Sequence, residues 1–250
     1  MNPWDTYRAR LAVSGKTRRE TMLRRESMYL NSKSKDSLSH FDVMIDGVNR
    51  SVNVINTDNL NEKFILSMPG ETIPLGGTVE WMKNHWLISE MDASTELYTK
   101  CKMIQCNYLL RWVDDTDSIH EQWCVIEDGT KYLTGAYEDR DFIITRGDSR
   151  IVMILPKNDY TSKMKRGDRF LIDDAQSVNM LAYELTKPLK LGWVYNDSGI
   201  FKFVLQEVNT TEDDSTELSI ADYYKHFPKD QPQSGGSGDA TGSDGERVWI

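Results

Sequence analysis

Histidine and cysteine are the side chains in this sequence best suited to metal or redox chemistry, and their spacing supports neither. His40, His85, His120 and His226 stand far apart, and none has a second His or a Cys at the short separations that place two ligands on one ion. They read as turn or surface residues. Cys101, Cys106 and Cys124 are an odd set without a C-x-x-C pair, each within a strand-like run, and they read as reduced, buried thiols. Adjacent carboxylates occur at Asp114-Asp115, Asp173-Asp174 and Asp213-Asp214. Such pairs can hold a divalent cation, but the alternating Asp or Asn ligands that close on Glu in an oxygen-ligand loop are absent. Turn chemistry already accounts for Asp there, because its carboxylate bonds backbone two residues on.

Nucleophile and phosphate chemistry finds no better footing. The sequence contains no G-x-S-x-G, no G-x-x-x-x-G-K-[ST] and no G-x-G-x-x-G. Arg146-Gly147-Asp148 spells an integrin-binding tripeptide, but a Gly-Asp turn between strands explains it. Trp81, Trp86, Trp112, Trp123 and Trp193 suit carbohydrate stacking in principle; their strand-like surroundings favour core or subunit contacts. The expectation is a protein without catalytic residues, metal, cofactor or small-molecule substrate.

What the sequence does concentrate is charge. Residues 1–35 carry nine Lys or Arg against three acidic residues, a net +6, in a chain whose total is −9, so the remainder carries −15. A basic arm on an acidic body suits docking between unlike surfaces. The arm's candidate contacts are Arg8, Arg18, Arg19, Arg24 and Arg25 with Met22 and Met28, residue types enriched at interfaces. Packing of the same helix on its own body is the competing reading. No apolar run approaches the roughly 20 residues that a bilayer requires, and the N-terminal residues lack the pattern of a secretory signal.

The elements that must position these residues follow from local pattern. Two helices are expected in the arm, broken at Ser14-Gly15, the second opened by the capping box Thr17-Arg18-Arg19-Glu20. Residues 32–39 are serine-rich and read as a hinge. From residue 40 the period becomes that of strands: Asp46-Gly47 marks one hairpin, Lys83, Asn84 and His85 the loop of a second, and residues 98–113 one long strand. Further strands follow to residue 208, with Pro188 marking an edge or bulge. A short helix over residues 219–227 stops at Pro228, and residues 231–246 have linker composition. The expected fold is therefore mainly β: small barrel or sandwich units with an N-terminal α-helical arm and a short C-terminal helix. Its divisions are a basic arm (1–37), a barrel-like domain (38–114), a second β domain (115–208), a short helical segment (209–228) and a flexible linker (229–246). Residues 247–250, with the apolar Val248, Trp249 and Ile250, are either a docking strand or the start of a further domain.

Several stretches together are familiar. The opening Trp4-Asp-Thr-Tyr-Arg-Ala-Arg-Leu11, the unit Gly76-Gly-Thr-Val-Glu-Trp81 with His85-Trp-Leu-Ile-Ser-Glu-Met-Asp92, and Cys106-Asn-Tyr-Leu-Leu-Arg-Trp112 resemble neck-region virion proteins of tailed phages of Gram-positive hosts. Gln122-Trp-Cys-Val-Ile-Glu-Asp-Gly-Thr-Lys-Tyr-Leu133 and Ile220-Ala-Asp-Tyr-Tyr-Lys-His-Phe-Pro228 look like the same group, so the similarity covers nearly the whole chain. Residues 70–112 resemble the small β-barrel of head-closure, or stopper, proteins. The resemblance implies a virion protein of the neck, assembled in the bacterial host cytoplasm as a homo-oligomeric ring. Portal or adaptor and tail proteins would be its partners, and packaged DNA would lie near the channel. Lys83, Asn84 and His85 are then candidates to face that channel, and the arm would lie across a neighbouring subunit or an acidic portal surface. The arm, the second β unit and the linker depart from the compact stopper pattern and leave open a capsid-decoration or tail protein. Outside the virion class, a carbohydrate-binding module is the alternative.

Overall fold

Phe41, Val43 and Ile45, and then Val52 and Val54, are apolar at every second position, and a strand with that period buries one face. The computed structural model describes residues 3–13, 15, 17–92, 96–128, 149–173, 180–191, 194–195 and 197–228, and six of its strands close into a barrel. These are β1 (His40–Ile45), β2 (Val48–Asn56), β3 (Glu62–Ser67), β4 (Thr78–Trp81), β5 (Asn84–Asp92) and β6 (Lys100–Gln105). Around the barrel the order is β1-β2-β3-β6-β5-β4, and β1 meets β4 through the pairs Met44–Glu80 and Ile45–Val79. Val43, Ile45, Val52, Ile65, Val79 and Met103 point inward and are almost fully buried. The Asp46-Gly47 hairpin forms as expected, with both residues at positive φ (49° and 77°), as a tight turn between twisted strands requires. Asp46 also accepts the Thr78 N–H at 2.8 Å, fixing the turn to β4.

A second, seven-stranded sheet follows, built from β7 (Tyr108–Val113), β8 (Ile119–Asp128), β9 (Arg150–Pro156), β10 (Arg169–Ile172), β11 (Leu181–Leu189), β12 (Val194–Tyr195) and β13 (Ser198–Val208). Its order is β10-β11-β13-β9-β8-β7, with β12 paired to β13. It curls until its two edges meet. There the Tyr108 hydroxyl donates to the Leu171 carbonyl at 3.1 Å and accepts the Asp173 N–H at 3.3 Å, a side-chain clasp between β7 and β10. Phe170, Phe203, Leu155, Met153 and Leu185 fill the interior. Pro188, expected to split two strands, instead lies within β11 and pairs in register with Phe203; the bulge falls before it, between Leu185 and Lys187.

Two sequence expectations are corrected. Residues 98–113 are two strands in different sheets, and the change of unit falls at Cys106-Asn107, not at residue 114. Asn107 makes the crossing possible: its amide donates to the Ile126 carbonyl and accepts the Ile126 N–H, both at 2.8 Å, and so imitates a strand residue beside β8. Residues 32–35 are helix rather than hinge. The first helix, α1, spans Pro3–Val13, and the second, α2, spans Arg18–Lys35. The expected cap of α2 is formed by Thr17, whose hydroxyl accepts the Glu20 N–H at 3.2 Å. Lys33 and Lys35 in the last turn suit the negative end of the helix dipole, and Ser34 is buried against the barrel, bonded to Asn53 and to the Met68 sulfur.

The two units share an apolar seam. Leu87 from the first barrel meets Val125, Val152, Ile154 and Ile200 from the second, and Cys106 sits among them. Backbone joins them too: the Gly199 N–H donates to the Leu75 carbonyl at 3.0 Å. Gly76 lies so close that a Cβ there would sit 1.9 Å from the Gly199 oxygen, and its φ of +79° is in the left-handed region. Residues 209–228 fold back onto β10 and end in a short helix, α3 (Tyr223–His226). Arg169 holds them: its guanidinium donates to both carboxylate oxygens of Asp214 (2.9 and 3.0 Å), to Asp222 (2.6 Å) and to the Asn209 carbonyl (3.0 Å). The residues expected as strand over 131–134 and 142–145, Arg146-Gly147-Asp148, Trp193, the linker and Val248, Trp249 and Ile250 lie outside the described residues.

Candidate functional site

The second helix of the arm presents faces of different exposure. On α2, Leu23, Ser27 and Leu30 are half-buried and Ser34 is buried, at the i, i+4, i+7, i+11 spacing of one helix face. Its C-terminal end is tied to the barrel, where Ser34 bonds Asn53 and the Met68 sulfur. Arg18, Met22, Arg25 and Tyr29 repeat the same spacing on another face and are all exposed, Met22 at 58% and Tyr29 at 57%. Neither Arg18 nor Arg25 has a hydrogen-bonded or ion-paired partner among the described residues. Arg19 reaches Glu96 at 2.5 Å, with both side chains largely in solvent. Arg24 and Met28 are exposed on a separate flank, and Arg8 is exposed on α1 beside Trp4 and Tyr7, whose rings meet edge to face at 6.1 Å. The helix is thus tied to the body at Ser34 and exposed along the row Arg18, Met22, Arg25 and Tyr29.

The loop candidates separate. Met82 and Lys83 form the hairpin tip, both at positive φ (49° and 63°), a conformation that costs a non-glycine residue about 1 kcal/mol. Asn84 and His85 open β5. Lys83 and Asn84 are exposed, whereas His85 is half-buried and stacks on Trp123 of the second unit, centroids 4.3 Å apart and planes 13° from parallel. His85 therefore belongs to the seam between the units. The hairpin borders a cavity of about 480 Å³ on the outer surface of β1 and β4, lined by Asp42, Met44, Glu80 and Met82 among others.

The remaining chemistry-bearing side chains act as structural ties. His120, expected at a surface turn, is half-buried in β8 with its Nε2 2.9 Å from Asp114 and its ring against Tyr160. Asp114 closes the β7–β8 turn. The Thr116 hydroxyl, His120 and the Ser118 N–H all favour its charged form and hold its carboxyl well below the usual carboxylate range. His226 reaches Asp117 in the same turn at 2.6 Å and so pins α3. Cys101, Cys106 and Cys124 are free and buried, as the sequence suggested. Burial pushes the thiols of Cys101 and Cys106 up to about 12, and that of Cys124 higher still. Among the described residues no group of three or more His, Cys, Asp or Glu is placed to hold a metal ion, and no helix is long and apolar enough to cross a membrane.

The tryptophans sit where the strand pattern put them. Trp86 and Trp112 are buried, Trp81 packs against Phe41 and Trp86, and Trp123 carries His85. Sequence reasoning missed the Arg169 cluster, because its partners lie 45 and 53 residues away and no local pattern links them. It also missed the outer face of β1 and β4, although the alternation of Asp42 and Met44 with buried Val43 and Ile45 carried that signal. No family model, curated protein or solved structure matches the chain.

Proposed function

We propose that this chain is a structural virion protein of a phage head-tail interface. In this reading it forms a homo-oligomeric ring under the portal or adaptor that closes the DNA-filled head and offers the tail a platform. The observation that carries the reading is the exposure of α2: the helix is tied to the barrel at Ser34, while a basic and apolar stripe, Arg18, Met22, Arg25 and Tyr29, stands bare. A chain whose most distinctive surface is an anchored but uncovered arm is suited to assembly, since Arg, Met and Tyr are residue types that interfaces favour. Residues 70–112 supply three of the barrel's six strands, β4–β6, while β7 joins the second sheet, and the acidic balance of the body would let packaged DNA pass a ring without adhering. The sites expected for the alternatives are less supportive, because the four described strand tryptophans are occupied in packing and so offer no obvious sugar platform.

Electron microscopy of the source particles with label directed at the body tests the proposal. Label confined to the junction of head and tail is expected. Label over the shell or along the tail would move the protein to decoration or tail. A companion variant, Arg18→Glu with Met22→Ser, Arg25→Glu and Tyr29→Ser, changes only exposed residues; it should fold normally and fail to enter particles.

A further inference from the structure

The exposed stripe of α2 has a counterpart elsewhere on the same molecule. Met44 and Glu80 are paired across β1 and β4 and both face outward; Asp42 and Met82 lie two residues further along. Met44 and Met82 are 43% and 62% exposed, unusual for large apolar side chains beside two acids. Glu80 has no hydrogen-bonded or ion-paired partner among the described residues, and Asp42 is held in place by the Ser51 hydroxyl at 2.6 Å. The face thus presents acid and methionine in alternation, with the exposed Lys83 at its border, and the stripe presents arginine with methionine and tyrosine in alternation.

Dimensions agree as well as chemistry. Arg18 and Arg25 are separated by seven residues of helix, about 10.5 Å, and the two acids sit diagonally across a strand pair at about 7–8 Å. Arginine side chains span that difference, and Met22, between them on the helix, would enter the hollow bordered by Met44 and Met82. The stripe lies about 140° around the helix from the row that ends in Ser34, the residue that ties α2 to its own barrel.

We infer that the Arg18, Met22, Arg25, Tyr29 stripe of one copy docks on the β1–β4 outer face of a second copy. Because the two surfaces differ, the contact is head to tail and repeats around a ring. The inference deepens the ring-forming proposal above by naming the surface that receives the arm.

Single-cysteine exchange tests it, and the buried native thiols leave the introduced ones as the reactive sites. Full-length Met22→Cys and Met44→Cys proteins, mixed at millimolar concentration and mildly oxidised, should give a disulfide dimer between the two variants well in excess of either homodimer. Adding Glu80→Arg to the Met44→Cys chain should lower that yield about tenfold, as for a desolvated charge pair, and Arg25→Glu on the other chain should restore much of it. Glu80→Gln, with circular dichroism of each variant, separates loss of contact from loss of fold. A heterodimer no more abundant than the homodimers, or a yield indifferent to Glu80→Arg, overturns the inference. Cross-linking in a protein that label places away from the neck would sink the neck proposal and keep this contact; label at the neck without the cross-link would do the reverse.

Discussion

Arg169 shows how one side chain can hold a segment that has little core of its own. Asp214 is almost wholly buried, which works against its charge, yet the Asp222 and Thr211 N–H groups and the Arg169 guanidinium more than offset that and hold its carboxyl low. Removing the guanidinium would strand a buried carboxylate, so Arg169→Met should cost about 3 kcal/mol and release residues 209–228. Hydrogen exchange checks this, because protection in that segment should fall before protection in β13 does. The sign of the pH effect follows from the lowered carboxyl. Its stabilising contribution is present in full above the unfolded value of 3.8 and is lost as pH falls through the lower native value. Wild type should therefore keep the segment docked at pH values somewhat below 4, and Arg169→Met should not. The thiols behave oppositely. Their raised values mean a contribution fully present below the unfolded value of 9.0 and lost as pH rises toward about 12. At pH 8 a thiol reagent should modify Cys101, Cys106 and Cys124 only after unfolding; stoichiometric labelling of native protein would contradict their burial.

At the scale of elements, Asn107 is the test of how the chain passes from one sheet to the next. Asn107→Ala removes both hydrogen bonds to Ile126 and leaves two half-buried backbone groups without that partner, at a cost of about 1–3 kcal/mol. Exchange should speed up at the start of β7 and the facing end of β8 while the first barrel is unchanged. The crossing was hidden in the sequence because Tyr, Cys, Met, Ile, Leu and Trp continue on both sides of Asn107, and apolar alternation does not reveal which sheet a strand joins. Local turn chemistry was legible where the backbone demands it: Asp46-Gly47 at positive φ and the Thr17 cap. The serine-rich end of α2 misled because serine disfavours helix interiors, and only tertiary contact of Ser34 with Asn53 and Met68 explains why the helix continues. The arm's basic face was visible as composition. Which of its residues are bare was not, since that depends on tertiary contacts such as that of Ser34.

The whole molecule rests on whether the two β units act as one. Leu87 is 1% exposed and belongs to the seam cluster rather than to the interior of its own barrel, so the first unit keeps an apolar side chain on its outer surface that only the second unit covers. The approach of Gly76 to Gly199 admits no side chain at all, which fixes the separation of the units at the backbone. A seam of this kind couples the stabilities of its two sides, and wild type should unfold by heat or denaturant in a single transition reported alike by probes in either unit. Leu87→Ala removes the central seam contact at a cost of about 2–5 kcal/mol, and because the loss falls on the seam it should also separate the transition into two. Gly76→Ala should separate it by forcing the backbones apart. The measurement is denaturant-dependent amide hydrogen exchange, for which the buried strands β2, β3 and β6 report the first barrel and β9, β11 and β13 the second. Coincident curves in wild type and displaced curves in Leu87→Ala are the expected result. Displaced curves already in wild type would make the units independent bodies, and any ring built from them would then have to hold each barrel through contacts of its own.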